Sequence, residues 1–162
     1  MQSPVPAFVR SLTALSKILD KAEAWAEAKK MKPEVIPNLR LIADMLPFTS
    51  QINIACDHAK GASARLANVE VPSFPDTETT VAELKARIAK TIAFISSIPA
   101  TSYDGAEDRT VSIKAGGRDM SFPAPMYLAS YAQPNFFFHM AMAYAILRSN
   151  GLDVGKGDFI GG

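Results

Sequence analysis

The sequence predicts an all-α fold, a four-helix bundle with a small β-hairpin between helices 3 and 4, and three observations carry that prediction. Four stretches repeat apolar residues at three- and four-residue steps, the period of a helix with one buried face. Prolines, a capping pair and a glycine stand where those stretches begin or end. One further stretch, between Thr101 and Pro125, changes to a period of two around a Gly-Gly pair.

The first helix begins at Ser3, whose hydroxyl can cap free backbone donors, with Pro4 at the first helical position. Phe8, Leu12, Leu15, Leu19, Ala22 and Trp25 or Ala26 then form one apolar stripe up to Met31-Lys32-Pro33. A second helical pattern starts near Pro37-Asn38 and runs through Leu39, Ile42, Leu46, Ile54, Ala55 and Leu66 to about Asn68, with a kink expected at Pro47. Val69 to Thr79 holds Pro72, Pro75 and Asp76 without a helical period and reads as a linker. Helix 3 opens on Thr80 and Glu83 at capping-box spacing and carries Val81, Leu84, Ile88, Ile92 and Ile95 until Pro99. Val111 to Lys114 and Arg118 to Phe122 are expected to pair antiparallel around Ala115-Gly116-Gly117. Helix 4 runs from about Pro125 to Asn150, with Arg148 in its last turn and Gly151 as its stop. Gly155-Lys156-Gly157 lacks the strand-to-helix frame of a phosphate loop, so residues 152 to 162 read as a docked or flexible tail.

Length and composition fit one domain over residues 1–162: 48% of residues are apolar and 20% charged, as in an ordinary packed protein. Seventeen Lys and Arg against sixteen Asp and Glu leave a net charge of +1, too balanced for the phosphate-neutralising field of a nucleic-acid binder. Cys56 is the single cysteine, which excludes an intrachain disulfide and fits a reducing compartment. Arg10 and Lys17 interrupt what would be the apolar core of an export signal. Gln133, Asn135 and His139 break the apolar run from Tyr131 to Leu147, so no membrane span is expected and the protein is placed in the cytoplasm.

Two histidines exist, His58 on helix 2 and His139 on helix 4, each among apolar neighbours. Asp44, Gln51 and His58 are seven residues apart and stack along one helix face; Asn135 and His139, four apart, share another. Where those faces meet, two imidazoles and amide or carboxylate oxygens converge in the bundle interior, the place where helical proteins build metal sites. The alternative is that each histidine is a hydrogen-bonded core or groove residue. Asp57 lies about 100° round the helix from His58 and is expected to be solvated, while Cys56 lies on the opposite face as a buried, inert thiol. Phe136, Phe137 and Phe138 point in three directions, and Tyr127, Tyr131 and Tyr144 add half-polar surface that suits core packing, a ligand groove or a second subunit. That surplus of aromatic surface predicts a two-fold homodimer.

Taken in order, Asp44-Met45-Leu46-Pro47 with Gln51, Thr80-Val81-Ala82-Glu83-Leu84, Pro134-Asn135-Phe136-Phe137-Phe138-His139, Ala143-Tyr144, Leu147-Arg148 and Gly155-Lys156-Gly157-Asp158-Phe159 resemble a bacterial family of unknown function. That family is placed in the DinB/YfiT-like superfamily, and the resemblance spans nearly the whole chain. It implies a DinB-like bundle of up-down-down-up topology, frequently dimeric. Some members hold a divalent metal through three histidines, and some of those are thiol-dependent transferases or hydrolases. The resemblance matches one metal histidine to His58 and the other two, four residues apart, to His139 and position 143. Position 143 is Ala, so the triad is incomplete here.

Two functional readings follow. The first is a metal-free or degenerate-site dimeric module that binds a small molecule, with Gln51, Asn135 and Tyr144 as ligand-binding residues. The second is an enzyme using a divalent metal such as zinc or nickel, held by His58 and His139. Two neutral ligands leave a zinc site one short of the usual catalytic three, which favours the first. No basic recognition helix supports a third reading as a DNA-binding regulator.

Overall fold

The stripe of Phe8, Leu12, Leu15, Leu19 and Ala22 is buried on a 24-residue helix, α1 (Val5–Ala28), in a computed structural model that describes residues 1–162. The helix starts one residue later than expected, with Pro4 and not Ser3 at the capping position, and Ser3 Oγ, one residue further out, accepts from the Val5 amide. A single turn, α2 (Val35–Asn38), then leads to α3 (Phe48–Leu66), α4 (Val81–Ser96), the strands β1 (Thr110–Ala115) and β2 (Arg118–Pro123), a short α5 (Ala124–Met126), α6 (Gln133–Ser149) and α7 (Lys156–Ile160). The chain is thus mostly helical with one two-stranded antiparallel sheet. α3 packs on α4 and α6, α1 packs on α4, and α1 also touches α3 and α6. A cluster of 31 buried residues fills the space between them.

The second helix departs from its expected form. Pro47 does not kink a long helix; it ends the approach and caps α3 in an extended conformation, φ −69° and ψ 165°. Without an N–H, a proline suits the start of a helix better than its interior. The Phe48 amide reaches back 2.8 Å to the Leu39 carbonyl, so residues 39 to 47 fold over the N-terminus of α3 instead of extending it. Ile42 and Leu46 are exposed, and Asp44 lies outside the helix, off the face that carries Gln51 and His58.

α4 opens on the full capping box: Thr80 Oγ1 accepts from the Glu83 amide, and Glu83 Oε2 accepts from the Thr80 amide. The hairpin pairs antiparallel as expected, with Val111 opposite Phe122, Ile113 opposite Met120 and Ala115 opposite Arg118. Gly116 and Gly117 both have positive φ, 56° and 76°, as a two-residue turn of this twist demands. The tail is docked: Leu152 and Val154 are buried, Phe159 packs edge-on to Tyr144, and Lys21 holds Asp158 at 2.7 Å.

The last long helix is uneven. Between α5 and α6, Tyr127–Ala132 forms a π-helical segment. Pro134 has no N–H to offer the Ser130 carbonyl, so an α ladder cannot run through unbroken. One residue on, the Asn135 side-chain amide donates to the Tyr131 carbonyl at 2.7 Å.

Candidate histidine-lined ligand site

Two helix faces build the site. On α3, Gln51, His58 and Arg65 follow at seven-residue steps, a spacing that drifts by only about 20° per step. On the facing side, Tyr127 and Tyr131 of the π segment and His139 of α6 stand opposite them. α3 and α6 pack together, so the two faces meet.

Gln51 is buried and fixed at both ends of its amide. Nε2 donates to the Leu46 carbonyl at 3.1 Å, and Oε1 lies 2.7 Å from His139 Nδ1. A carbonyl can only accept, so the amide orientation is determined; the amide oxygen can only accept in turn, so His139 carries its proton on Nδ1. Burial lowers the His139 pKa, which keeps the ring neutral and leaves Nε2 as a free lone pair.

The His58 ring lies 6.2 Å from that of His139 with the planes 13° apart, and 5.7 Å from Tyr131. Burial, and then the charge His139 would carry, push the His58 pKa down to about 4, with Arg65 adding to the effect and Asp57 opposing it. Both imidazoles are therefore neutral near pH 7. The sign of the pH dependence follows: on acidification the unfolded chain takes up the His58 proton near the ordinary histidine value of 6.5, before the folded chain does near 4. The penalty is absent above pH 6.5 and grows as pH falls to about 4. The full gap is worth about 3 kcal/mol, and solvent reaching the half-buried ring reduces it to about 1–2 kcal/mol. Urea unfolding across this range should show a slope that His58→Gln flattens; parallel curves for the two proteins would contradict the buried neutral ring.

Beside His58 opens a cleft of about 160 Å³, walled by Arg65, Tyr127 and Tyr131 from the helices and by Ile113 and Lys114 from β1. Phe122 of β2 packs on Tyr131 at 5.6 Å and on Tyr127 at 6.2 Å, so the hairpin serves as the outer wall. Arg65 Nη1 donates to Tyr127 Oη at 3.2 Å. Tyr127 is buried, and that burial raises its pKa.

The other candidate residues play different parts. Tyr144 lies five residues beyond His139, about 140° round the helix, and its hydroxyl donates to Val154 O at 3.4 Å under the docked tail. Asn135 spends its amide on its own helix. Asp57, expected to be solvated, is half-exposed and also pairs with Lys60 at 2.8 Å and Arg87 at 3.1 Å. Cys56 is buried as expected; its burial pushes the thiol pKa up to about 12, offset in part by a hydrogen bond with Thr91. Ala143 is fully buried in the core. Sequence reasoning does not single out Arg65, although it continues the Gln51-His58 series by one more step of seven.

The donor set does not suit a catalytic metal. No group of three His, Cys, Asp or Glu side chains is arranged to hold a metal ion. Two imidazoles remain, and the amide oxygen beside them, Gln51 Oε1, is already engaged with His139. A catalytic zinc ordinarily takes three protein ligands, so the set is one short.

The fold is DinB-like, as its likeness to a solved DinB family member shows. Residues 1–160 match the family described as a domain of unknown function, DUF1993, and the chain belongs to that family. It is also similar to the crystal structure of a DinB family member protein from Shewanella denitrificans. The two share 38% sequence identity and a TM-score of 0.88, over 98% of this chain and 89% of that one. No curated protein matches it. No helix is long and apolar enough to cross a membrane.

Proposed function

We propose that this DinB-like protein is an up-down-down-up four-helix bundle whose histidine-lined cleft binds a small molecule without a resident metal. It acts as a homodimer in the cytoplasm. The observation that carries the metal-free reading is the donor set: two imidazoles with no third ligand placed beside them, and an alanine at position 143. Exposed Phe137 and Phe138 on α6 support the dimer, since a monomer has no use for two adjacent large apolar side chains in water. A single buried cysteine supports a reducing setting.

One observation favours the other reading, a divalent-metal-dependent hydrolase or thiol-dependent transferase. The Gln51 bond leaves His139 neutral with a free Nε2, the state in which histidine ligates metals. Elemental analysis of tag-free protein after incubation with zinc, nickel or manganese separates the two. The metal-free reading expects no stoichiometric metal in the parent protein. Stoichiometric metal that disappears in both His58→Ala and His139→Ala would establish the metal enzyme in its place. Sedimentation at micromolar concentration tests the dimer, and a monomer there would refute it.

A further inference from the structure

Gly61 lies one turn before Arg65 on α3, and its missing side chain bears on what the cleft of the ligand-binding reading above can take. A Cβ at position 61 would overlap Arg65 Nη1, so the bare glycine is what lets the guanidinium lie back along the helix toward His58. There it makes one side-chain hydrogen bond, to Tyr127 Oη, and no carboxylate pairs with it. The remaining N–H donors of the fork are free. Asp57, the acid on the same cleft, is committed to Lys60 and Arg87. Lys114 adds a second cation at the rim, facing Asp119 across the hairpin.

A half-buried guanidinium without an anion has lost part of its hydration and gained no ion pair in return. Its planar fork matches two oxygens of a carboxylate or phosphate. The walls beside it, Ile113 and Tyr131, are apolar or aromatic. At about 160 Å³ the cleft is smaller than the roughly 300–1,000 Å³ typical of pockets for drug-sized ligands. We propose that the cleft binds a small organic anion, a carboxylate or phosphate on a flat apolar body, with Arg65 as the anchor for the charged group. Tyr131 and Ile113 then cover the body, and Gly61 is the specificity device that admits the anchor.

The test uses tag-free full-length protein and follows the ring signals of His58 and His139 by NMR during titration with benzoate, phenyl phosphate and the neutral analogue benzamide. At least one anion should bind, and benzamide at least tenfold more weakly. Arg65→Met should weaken anion binding at least tenfold. Gly61→Ala should do the same with little loss of stability, because the overlapped atom ends a flexible side chain that can swing out into solvent. Which anion binds identifies the headgroup. Equal binding of anion and benzamide, unaffected by either variant, overturns the anion site and leaves the ligand cleft standing. No response to any probe at about 10 mM overturns the anion site and the ligand-binding reading together.

Discussion

Replacing Arg87 by methionine is expected to cost about 2–4 kcal/mol of folding stability, less than the full penalty for a wholly buried network because Asp57 and Asp76 stay open to solvent. The guanidinium is 2% exposed and joins three parts of the chain. Nη1 donates to the Pro75 carbonyl at 3.0 Å and to Glu78 at 3.1 Å, while Nη2 meets Asp57 of α3 at 3.1 Å and Asp76 of the linker at 3.0 Å. Methionine fills much of the volume but leaves Glu78 and Asp76 without their cation, with only Lys60 still beside Asp57. Residues 69 to 79 have no regular structure of their own, and Arg87 is what straps them to α4. In a chain of this size the loss amounts to a fall in Tm of roughly 10 °C. A loss below about 1 kcal/mol in urea unfolding would show that the network is screened like a surface pair.

Ala143→His is expected to raise zinc affinity over that of the parent protein, by at least about a hundredfold. Position 143 is one helical turn beyond His139 on the same face, so the new imidazole would supply the third ligand that the pair is missing. The position is fully buried, and a larger side chain there costs about 1–3 kcal/mol in overpacking. Bound zinc offsets that cost by mass action, so the variant should be less stable than the parent in chelator and more stable in excess zinc. Calorimetric titration gives the affinity and thermal unfolding the linkage. A folded variant that binds zinc no better than the parent would mean that the two-histidine geometry, and not the missing third ligand, keeps metal out.

The parts of the fold that can be read in the sequence are those where one local rule acts alone. The stripe of α1, the capping box at Thr80 and the Gly-Gly hairpin each follow from a few neighbouring residues. The approach to α3 misleads because Leu39, Ile42 and Leu46 keep a helical period while serving a folded-back loop. Pro47 tolerates either a kink or a start, and only the contact of Phe48 with Leu39 decides between them. The period implies burial, yet Ile42 is 59% exposed. The π segment has its cause in Pro134, but a missing N–H does not say how the ladder will be rearranged.

At the site, the meeting of His58 and His139 is legible because each lies on the apolar side of a helix that packs against the other. The Gln51 bond to His139 is not: Gln51 shares a helix face with His58, but which residue of α6 stands opposite it depends on the tertiary register. Composition alone suggests Tyr144 for the groove, and the angle that five residues subtend removes it. Arg65 escapes notice because a charge near the end of a helix reads as solvated. Its place in the cleft depends on the space left by Gly61, a contact between neighbours on one helix that no periodicity shows.

The protein holds only two histidines, so its imidazole nitrogen spectrum contains two rings, and long-range proton–nitrogen NMR reads their state without dissection. Near pH 7 the account predicts both rings neutral, His139 protonated on Nδ1 with Nε2 free, and no change in either ring when equimolar zinc is added. Stoichiometric zinc that moves a nitrogen resonance of both His58 and His139 would contradict it.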